Sequence, residues 1–305
     1  MSARETRRMP AYAKINTYLA VTGVRPNGYH TLLSHMQAVS LQDTLTLYWQ
    51  RGEGDRIEIR LSCDRPDVPT DEHNLICRAA RALFEALADT GRAHSGSLEV
   101  HLEKRIPMAA GLGGGSADAA ATLCGLNDLL GHPFSTDALC EIGVKLGADI
   151  PFCVRSIVGG GASMTARGLG EMLETAPGLL PTWHLVVACH GEGVSTPWAY
   201  RRLDEEGVVD VNAEASYHAF LSALISGAPA QIAEASYNCF ERVVLPARSA
   251  VQDLMDAMTQ AGATLVRMSG SGPSVFGVFE WESDAQKCLE ALKQKGILAH
   301  LCRPL

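Results

Sequence analysis

Two kinds of hydrophobic periodicity occur along the first half of the chain. Four segments place apolar and polar side chains at alternate positions, which is typical of half-buried strands. They are residues 11–24 (one or two strands), 43–49, 56–61 and 98–103. Residues 74–87 and the alanine-rich residues 117–130 instead show helical spacing. A further helix over 137–146, capped by Thr136 and ended by Gly147, completes an α+β pattern.

The second half follows a different order of elements. After Gly178-Leu179-Leu180-Pro181 the pattern predicts strand, helix, strand, strand, helix and strand. These six elements are residues 184–189, 248–260, 264–268, 274–279, 284–294 and 297–302. This βαββαβ order is that of ferredoxin-like units. We therefore predict two domains, residues 10–178 and 182–305.

Composition and charge narrow the class of protein. Of the 305 residues, 47% are hydrophobic and 20% are charged, as in ordinary globular proteins. The net charge of −8 argues against nucleic-acid and membrane partners, which require a basic face, and no apolar run has the length of a membrane span. The nine cysteines include no C-x-x-C pair, which predicts a cytoplasmic protein without a disulfide framework. The ten histidines show no metal-binding spacing, so no metal site is predicted from them. The first ten residues are predicted to be a solvated extension.

A glycine run between a predicted strand and a predicted helix is the most unusual segment. Gly113, Gly114 and Gly115 lack Cβ atoms, so their backbone can approach a ligand closely. N–H groups at the start of the following helix favour an anion, for which phosphate is the natural candidate. A flexible surface turn is the alternative interpretation. The later cluster Gly159-Gly160-Gly161 is interpreted as a tight turn or a close approach of strands.

Two other segments supply candidate groups for phosphoryl transfer. Alternation along the first strand predicts that Lys14 and Asn16 share a face, and Asp149 follows a predicted helix end. Transfer of phosphate to an alcohol requires a cation near the moving group and a carboxylate that accepts the hydroxyl proton. Lys14 beside Asp149 would supply both groups. From the residues alone, a solvated lysine and a turn or capping aspartate remain open.

The segment from Pro107 to Ala117, followed by Asp118-Ala119-Ala120, resembles the glycine-rich signature of the GHMP kinase superfamily. Four further segments of that family occur in order, and the resemblance extends from about residue 10 to the last strand. They are Ala13–Asn16, Asn27–His30, Gly147–Pro151 and Ser269–Gly272. The implied fold is α+β, with an N-terminal ribosomal-protein-S5-domain-2-like α/β domain and a C-terminal ferredoxin-like domain.

The resemblance implies an ATP-dependent small-molecule kinase that uses Mg²⁺. In such a kinase Asp149 would be the general base, Lys14 its electrostatic partner and Asn16 a neighbour of the acceptor hydroxyl. ATP would be held by Asn74, Lys104 and the glycine-rich segment, although Asn74 could instead only cap a helix. The residues of that segment are Pro107, Met108, Ala109, Ala110, Gly111, Leu112, Gly113, Gly114, Gly115, Ser116 and Ala117.

The resemblance also implies a substrate. Tyr29 and His30 match positions that hold a cytosine, Tyr29 by stacking on the base and His30 by contacting its polar edge. Tyr200 aligns with a second stacking aromatic near Thr196, and Trp198 is the alternative to Tyr200. The implied substrate is a methylerythritol linked to cytidine diphosphate, and the implied assembly is a monomer or weak homodimer. A homoserine or mevalonate kinase and an inactive nucleotide-binding regulator are the alternative functions.

Overall fold

A computed structural model describes residues 4–54, 56–91, 94–177, 183–191 and 193–305 of the chain. The first elements in chain order are β1 (Glu5–Val24), β2 (His30–Arg51), β3 (Ile57–Cys63), α1 (Leu75–Asp89), β4 (Gly96–Glu103), α2 (Gly114–Leu129), α3 (Thr136–Val144), α4 (Ile150–Gly159), β5 (Ser163–Gly168) and β6 (Met172–Thr175). The remaining elements are β7 (His184–Cys189), α5 (Thr196–Glu205), α6 (Ala213–Ser226), α7 (Pro229–Ala235), β8 (Tyr237–Asn238), α8 (Glu241–Ala247), α9 (Ser249–Gln260), β9 (Leu265–Met268), β10 (Val275–Phe279), α10 (Glu282–Gln294) and β11 (Leu298–Cys302).

The chain forms two compact units, each assembled from three separate segments. Unit 1 comprises Met1–Ala13, Gln42–Ile106 and Gly113–Gly161, and unit 2 comprises Lys14–Leu41, Pro107–Leu112 and Ala162–Leu305. The predicted domain boundary at residues 178–182 lies outside the described residues and stays a prediction.

Unit 1 combines a sheet with helices α1 to α4. Strand β3 pairs in parallel with β4, and β4 pairs antiparallel with the second half of β2. Helix α2 is buried on almost every side, which explains its composition of small side chains. At Gly125 of α2 an added Cβ would lie 2.8 Å from Cγ of Met9, so a glycine is what allows this close approach to β1.

Unit 2 contains the predicted ferredoxin-like arrangement. Strands β11, β7, β10 and β9 form an antiparallel sheet in that order, with α9 and α10 completing the βαββαβ pattern. Helices α5 to α8, which the sequence analysis did not predict, lie between β7 and α9 in the chain. The first half of β2 pairs with β5, β5 pairs with β6, and β1 pairs in parallel with β8.

Two local predictions are wrong. The N-terminal residues from Glu5 onward form strand β1 and not a frayed extension. The side chains of Glu5–Arg8 are exposed, as predicted, but Met9 is buried and Arg4 forms an ion pair with Glu99. Helix α3 is capped by Ser135, whose side chain accepts a hydrogen bond from the N–H of Ala138, and not by Thr136. The turn predicted at Gly159-Gly160-Gly161 is confirmed at the end of α4. Within the described part of the chain, no helix is both long and apolar enough to cross a membrane.

Candidate active site

The glycine run of unit 1 forms the start of α2. Gly113 is the N-cap residue with φ +69°, a left-handed conformation that suits glycine, and its carbonyl accepts a hydrogen bond from the N–H of Ala117 at 2.9 Å. The first N–H groups of a helix have no partner within the helix. Helix starts of this kind bind anions through these N–H groups and the helix dipole. The run is therefore the first turn of a helix and not a flexible surface turn, and the phosphate site at Gly113-Gly114-Gly115 stays a prediction.

The start of α1 and the loop before α4 lie close to this position. Leu75, the first residue of α1, is near Gly115, where an added Cβ would lie 3.4 Å from Cδ1 of that leucine. Ser116 faces Gly147, where an added Cβ would lie 3.9 Å from the serine Oγ. Asp149 then occupies the N-cap position of α4, and its carboxylate makes no capping hydrogen bond there. The Ser116 hydroxyl is therefore aimed at the loop that carries Asp149.

Asn74 caps helix α1. Its Oδ1 accepts a hydrogen bond from the N–H of Ile76 at 2.9 Å, and its Nδ2 donates to the carbonyl of Pro69 at 2.7 Å. The capping role that the sequence left open is thus confirmed. A contact of Asn74 with ATP stays a prediction.

Lys104 belongs to a buried cluster with Asp43 and Asp118. Its Nζ lies 2.6 Å from Oδ2 of each aspartate. Asp43 Oδ1 also accepts hydrogen bonds from the backbone N–H groups of Arg105 and Ile106. Burial raises the pKa of Asp118 to about 7, against the opposing effect of the Lys104 ammonium. The cluster joins the residues after β4 to the first turns of α2, and the predicted contact of Lys104 with ATP stays a prediction.

In unit 2, Lys14 and Asn16 form the buried start of a hydrogen-bonded chain. Lys14 Nζ donates to Asn16 Oδ1 at 2.8 Å, and Asn16 Nδ2 donates to Ser34 Oγ at 2.8 Å. Ser34 in turn donates to the carbonyl of Tyr18. Because Lys14 is only 5% exposed, the shared face is confirmed and a solvated lysine is excluded.

The glycine-rich residues 107–112 are fixed within unit 2 by two neighbouring segments. The N–H of Lys14 donates to the carbonyl of Leu112 at 3.0 Å, and Ser269 Oγ donates to the carbonyl of Gly111 at 3.0 Å. Gly111 has φ +77°, and an added Cβ would overlap the carbonyl oxygen of Ser269. Ser271, close by, shares a 3.0 Å hydrogen bond with the hydroxyl of Thr196. Within unit 2, residues 107–112 therefore contact both Lys14 and the Ser269–Gly272 loop. The loop also contacts Thr196, and the sequence-predicted site did not include it.

The candidate cytosine residues are not all in contact. The Tyr29 residue is 62% exposed, whereas the His30 side chain is 10% exposed and stacks on Tyr200 with ring centroids 4.5 Å apart. Tyr200 meets Phe240 edge-on at 5.0 Å. Trp198, the alternative aromatic, lies under the guanidinium of Arg248 at 5.7 Å.

Asp204 was not found by the sequence analysis, although its Oδ1 lies 2.6 Å from His30 Nε2. The two residues are 174 positions apart in the chain, and Asp204 carries no local motif. No sequence signal pointed to it.

Among the described residues, no group of three or more histidine, cysteine, aspartate or glutamate side chains could hold a metal ion.

Comparisons with known proteins agree on one family. The family model of the GHMP kinases N terminal domain matches residues 74–156, and that of the GHMP kinases C terminal matches residues 220–298. The 4-diphosphocytidyl-2-C-methyl-D-erythritol kinase of Gloeobacter violaceus is 38% identical over 98% of this chain and 94% of its own length. The enzyme of the same name from Synechococcus elongatus is 40% identical over 95% of this chain and 91% of its own length. A crystal structure of 4-(cytidine 5'-diphospho)-2C-methyl-D-erythritol kinase matches with TM-score 0.77 and 31% identity, covering 98% of this chain and 99% of that one.

Proposed function

The chain belongs to the GHMP kinase family, and we propose that it transfers the γ-phosphoryl group of ATP to the 2-hydroxyl of 4-diphosphocytidyl-2-C-methyl-D-erythritol. This reaction is a step in the non-mevalonate synthesis of isoprenoid precursors. The relatives that support it match nearly the full length of the chain. Homoserine and mevalonate kinases share the fold but act on acceptors without a base to stack.

The buried Lys14–Asn16 pair is the observation that carries the proposal. Burial of an ammonium group costs free energy unless hydrogen bonds and nearby charges offset it. Lys14 is nevertheless buried, bonded to Asn16 and directly attached through its N–H to the glycine-rich segment at Leu112. A cation fixed beside such a segment suits the stabilisation of a moving phosphoryl group.

Each group has one task in this reaction. The oxygen of the 2-hydroxyl forms a bond to the γ-phosphorus, the bond from that phosphorus to the β,γ-bridging oxygen breaks, and ADP leaves. Asp149 accepts the hydroxyl proton, Lys14 offsets the charge on the phosphoryl group, and Asn16 orients the hydroxyl. The N–H groups that follow Gly113 bind the phosphates of ATP.

A magnesium ion fits this set of residues. Protein kinases and ATPases bind Mg²⁺ through one or two protein oxygens together with the nucleotide phosphates, so a cluster of several carboxylates is not required. Ser116, whose hydroxyl faces the loop of Asp149, is the residue that would hold MgATP. When bound, the ion offsets negative charge on the phosphates.

The cytidine end of the substrate is assigned to the aromatic residues of unit 2. Tyr29 stacks on the cytosine and His30 contacts its polar edge. The exposed ring of Tyr29 is available for stacking. Tyr200 is the second aromatic with Trp198 as its alternative, and Thr196 lies beside the same substrate.

Product analysis tests the function directly. With MgATP and the cytidylated methylerythritol, the wild-type protein should form ADP and the 2-phosphorylated product, observed by phosphorus NMR. Asp149→Asn should lower kcat by roughly 10²–10⁴-fold, the usual contribution of a positioned general base. Asp137→Asn, which removes an exposed carboxylate paired with Arg155, is the matched control and should keep full activity. Absence of product with the wild type would exclude the function, and equal turnover of Asp149→Asn would exclude Asp149 as the base.

A further inference from the structure

The imidazole of His30, the first residue of β2, is held by contacts with both Asp204 and Tyr200. Nε2 lies 2.6 Å from Asp204 Oδ1, and the ring is stacked on Tyr200 at an interplanar angle of 25°. Tyr200 is itself held edge-on by Phe240. The imidazole is therefore fixed in its plane by the stacked ring and in its rotation by the carboxylate.

A carboxylate oxygen at neutral pH can only accept a hydrogen bond, so the Nε2 atom of His30 must carry the proton of this contact. In a neutral imidazole the other nitrogen, Nδ1, is then an acceptor. Asp204 thus decides which hydrogen-bonding character His30 presents at Nδ1. The Asp204 side chain lies on α5 and is 53% exposed, so packing against a core does not require an aspartate at this position.

We propose that Asp204 is a positioning residue that makes the enzyme selective for cytosine over uracil, by holding His30 in the tautomer with an acceptor at Nδ1. This inference rests on the proposed function, in which His30 contacts the edge of the base. Cytosine carries an amino group at C4, which donates hydrogen bonds, whereas uracil carries a carbonyl oxygen there, which accepts them. An acceptor at Nδ1 matches the amino group and opposes the carbonyl.

Recognition of uracil would require a proton on Nδ1. In the neutral ring that proton can come only at the expense of Nε2, and the hydrogen bond to Asp204 would be lost. Hydrogen bonds to charged groups are strong enough for their loss to weaken binding by roughly tenfold or more. Without Asp204 the imidazole can change tautomer freely, so uridine compounds should bind more tightly to the variant than to the wild type.

Nitrogen NMR tests the tautomer independently of any reaction. In protein labelled with ¹⁵N-histidine at pH 8, long-range proton–nitrogen spectra should show His30 protonated at Nε2 and unprotonated at Nδ1, with the signal assigned by its loss in His30→Gln. Asp204→Ala should show a mixture of the two neutral tautomers. A wild-type ring protonated at Nδ1, or at both nitrogens, would overturn the proposal even if the enzyme phosphorylates the cytidylated substrate.

Competition tests the selectivity. CDP and UDP are measured as inhibitors against the acceptor substrate at saturating ATP and pH 8. Asp204→Ala should reduce the ratio of the UDP to the CDP inhibition constant by roughly tenfold, mainly through tighter UDP binding. Glu205→Gln removes a neighbouring carboxylate that pairs with Arg202 and should leave the ratio at its wild-type value. A damaged fold would weaken both inhibitors. With CDP inhibition at its wild-type value, an unchanged ratio in Asp204→Ala would refute the role of Asp204. Failure of the wild type to form product would refute the proposed function instead.

Discussion

The two carboxylates that bind Lys104 differ in how completely they are hydrogen-bonded. Asp43 uses Oδ2 for the ammonium and Oδ1 for two backbone N–H groups. Asp118 binds the ammonium through Oδ2, while its buried Oδ1 has no hydrogen-bond partner among the described residues. Keeping a buried carboxylate charged without hydrogen-bond partners costs free energy, and this agrees with the raised pKa of Asp118.

Asparagine substitutions should therefore have unequal effects. Asp43→Asn breaks a fully bonded buried pair and should lower the free energy of unfolding by about 3 kcal/mol. Asp118→Asn should lower it by only about 1 kcal/mol. The variant loses the ion pair with Lys104, but this loss is partly offset because a poorly solvated buried charge is removed as well. Urea unfolding at pH 7 measures both values. Equal losses in the two variants would show that the carboxylates support the cluster to the same extent.

His35 should make the protein sensitive to acid. Its ring is buried between Thr17 and Ser163, with hydrogen-bond distances of 2.6 and 2.8 Å, and burial lowers its pKa to about 3. The unfolded chain binds a proton at this histidine near its ordinary pKa of 6.5, whereas the folded protein does not. The free energy of unfolding should therefore fall as the pH decreases from 6.5 towards 3, by at most about 1.4 kcal/mol per pH unit from this residue.

His35→Gln provides the comparison, because glutamine does not titrate. The stability advantage of the wild type over this variant, measured by urea unfolding at pH 7, 6 and 5, should shrink as the pH falls. An advantage that stays constant between pH 7 and 5 would contradict a neutral buried histidine.

At the scale of elements, the joint between the glycine-rich segment and the Ser269–Gly272 loop depends on one glycine. Gly111→Ala would place a methyl group against the carbonyl of Ser269 in addition to straining a positive φ. Gly160, which also has positive φ, has nothing within 4 Å of an added Cβ, so Gly160→Ala isolates the strain alone.

We expect Gly160→Ala to cost about 1 kcal/mol of stability with little change in activity. Gly111→Ala should cost at least about 2 kcal/mol and raise the KM for ATP, because the backbone that borders the phosphates must move. Thermal unfolding and steady-state kinetics measure the difference. Equal losses of stability and equal KM values for ATP in the two variants would show that the close approach of Gly111 to Ser269 does not affect activity.

The accuracy of the predicted elements depended on how each is buried. Strands with one solvated face, such as β3 and β4, alternate visibly and were predicted within a few residues. β2 was predicted only at residues 43–49, because Leu33–Val39 is buried on both faces and shows no alternation. α4, a short apolar segment after Asp149, could not be distinguished from a strand by periodicity.

The candidate site was predictable where its residues are neighbours in sequence. Alternation was enough to place Lys14 beside Asn16, and glycines marked the start of α2. The cluster of Asp43, Lys104 and Asp118 joins three distant segments, so no local pattern could reveal it.

At the scale of the whole molecule, the nine cysteines provide a test of the packing. All are free thiols, and only Cys63 and Cys189 are partly exposed. Burial also raises the pKa of both of these thiols, which reduces the reactive thiolate.

Ellman's reagent should therefore modify at most two thiols of the native protein, slowly, and all nine after unfolding in urea. The double variant Cys63→Ser/Cys189→Ser should show no native reaction on the same timescale. Rapid modification of a third thiol in the wild type would mean that a buried part of a unit opens readily.

The interleaved segments of the two units have a consequence for synthesis on the ribosome. Unit 1 has all its residues once Gly161 has been translated, but unit 2 joins Lys14–Leu41 to residues that begin only at Ala162. Within unit 2, β1 and β2 must wait for β8 and β5 before those edges are paired. Unpaired strand edges favour aggregation. A nascent chain whose first 161 residues have left the ribosome thus has every residue of unit 1 but also carries early strands of unit 2 whose edges are still unpaired. Chaperone contact is most valuable in that interval.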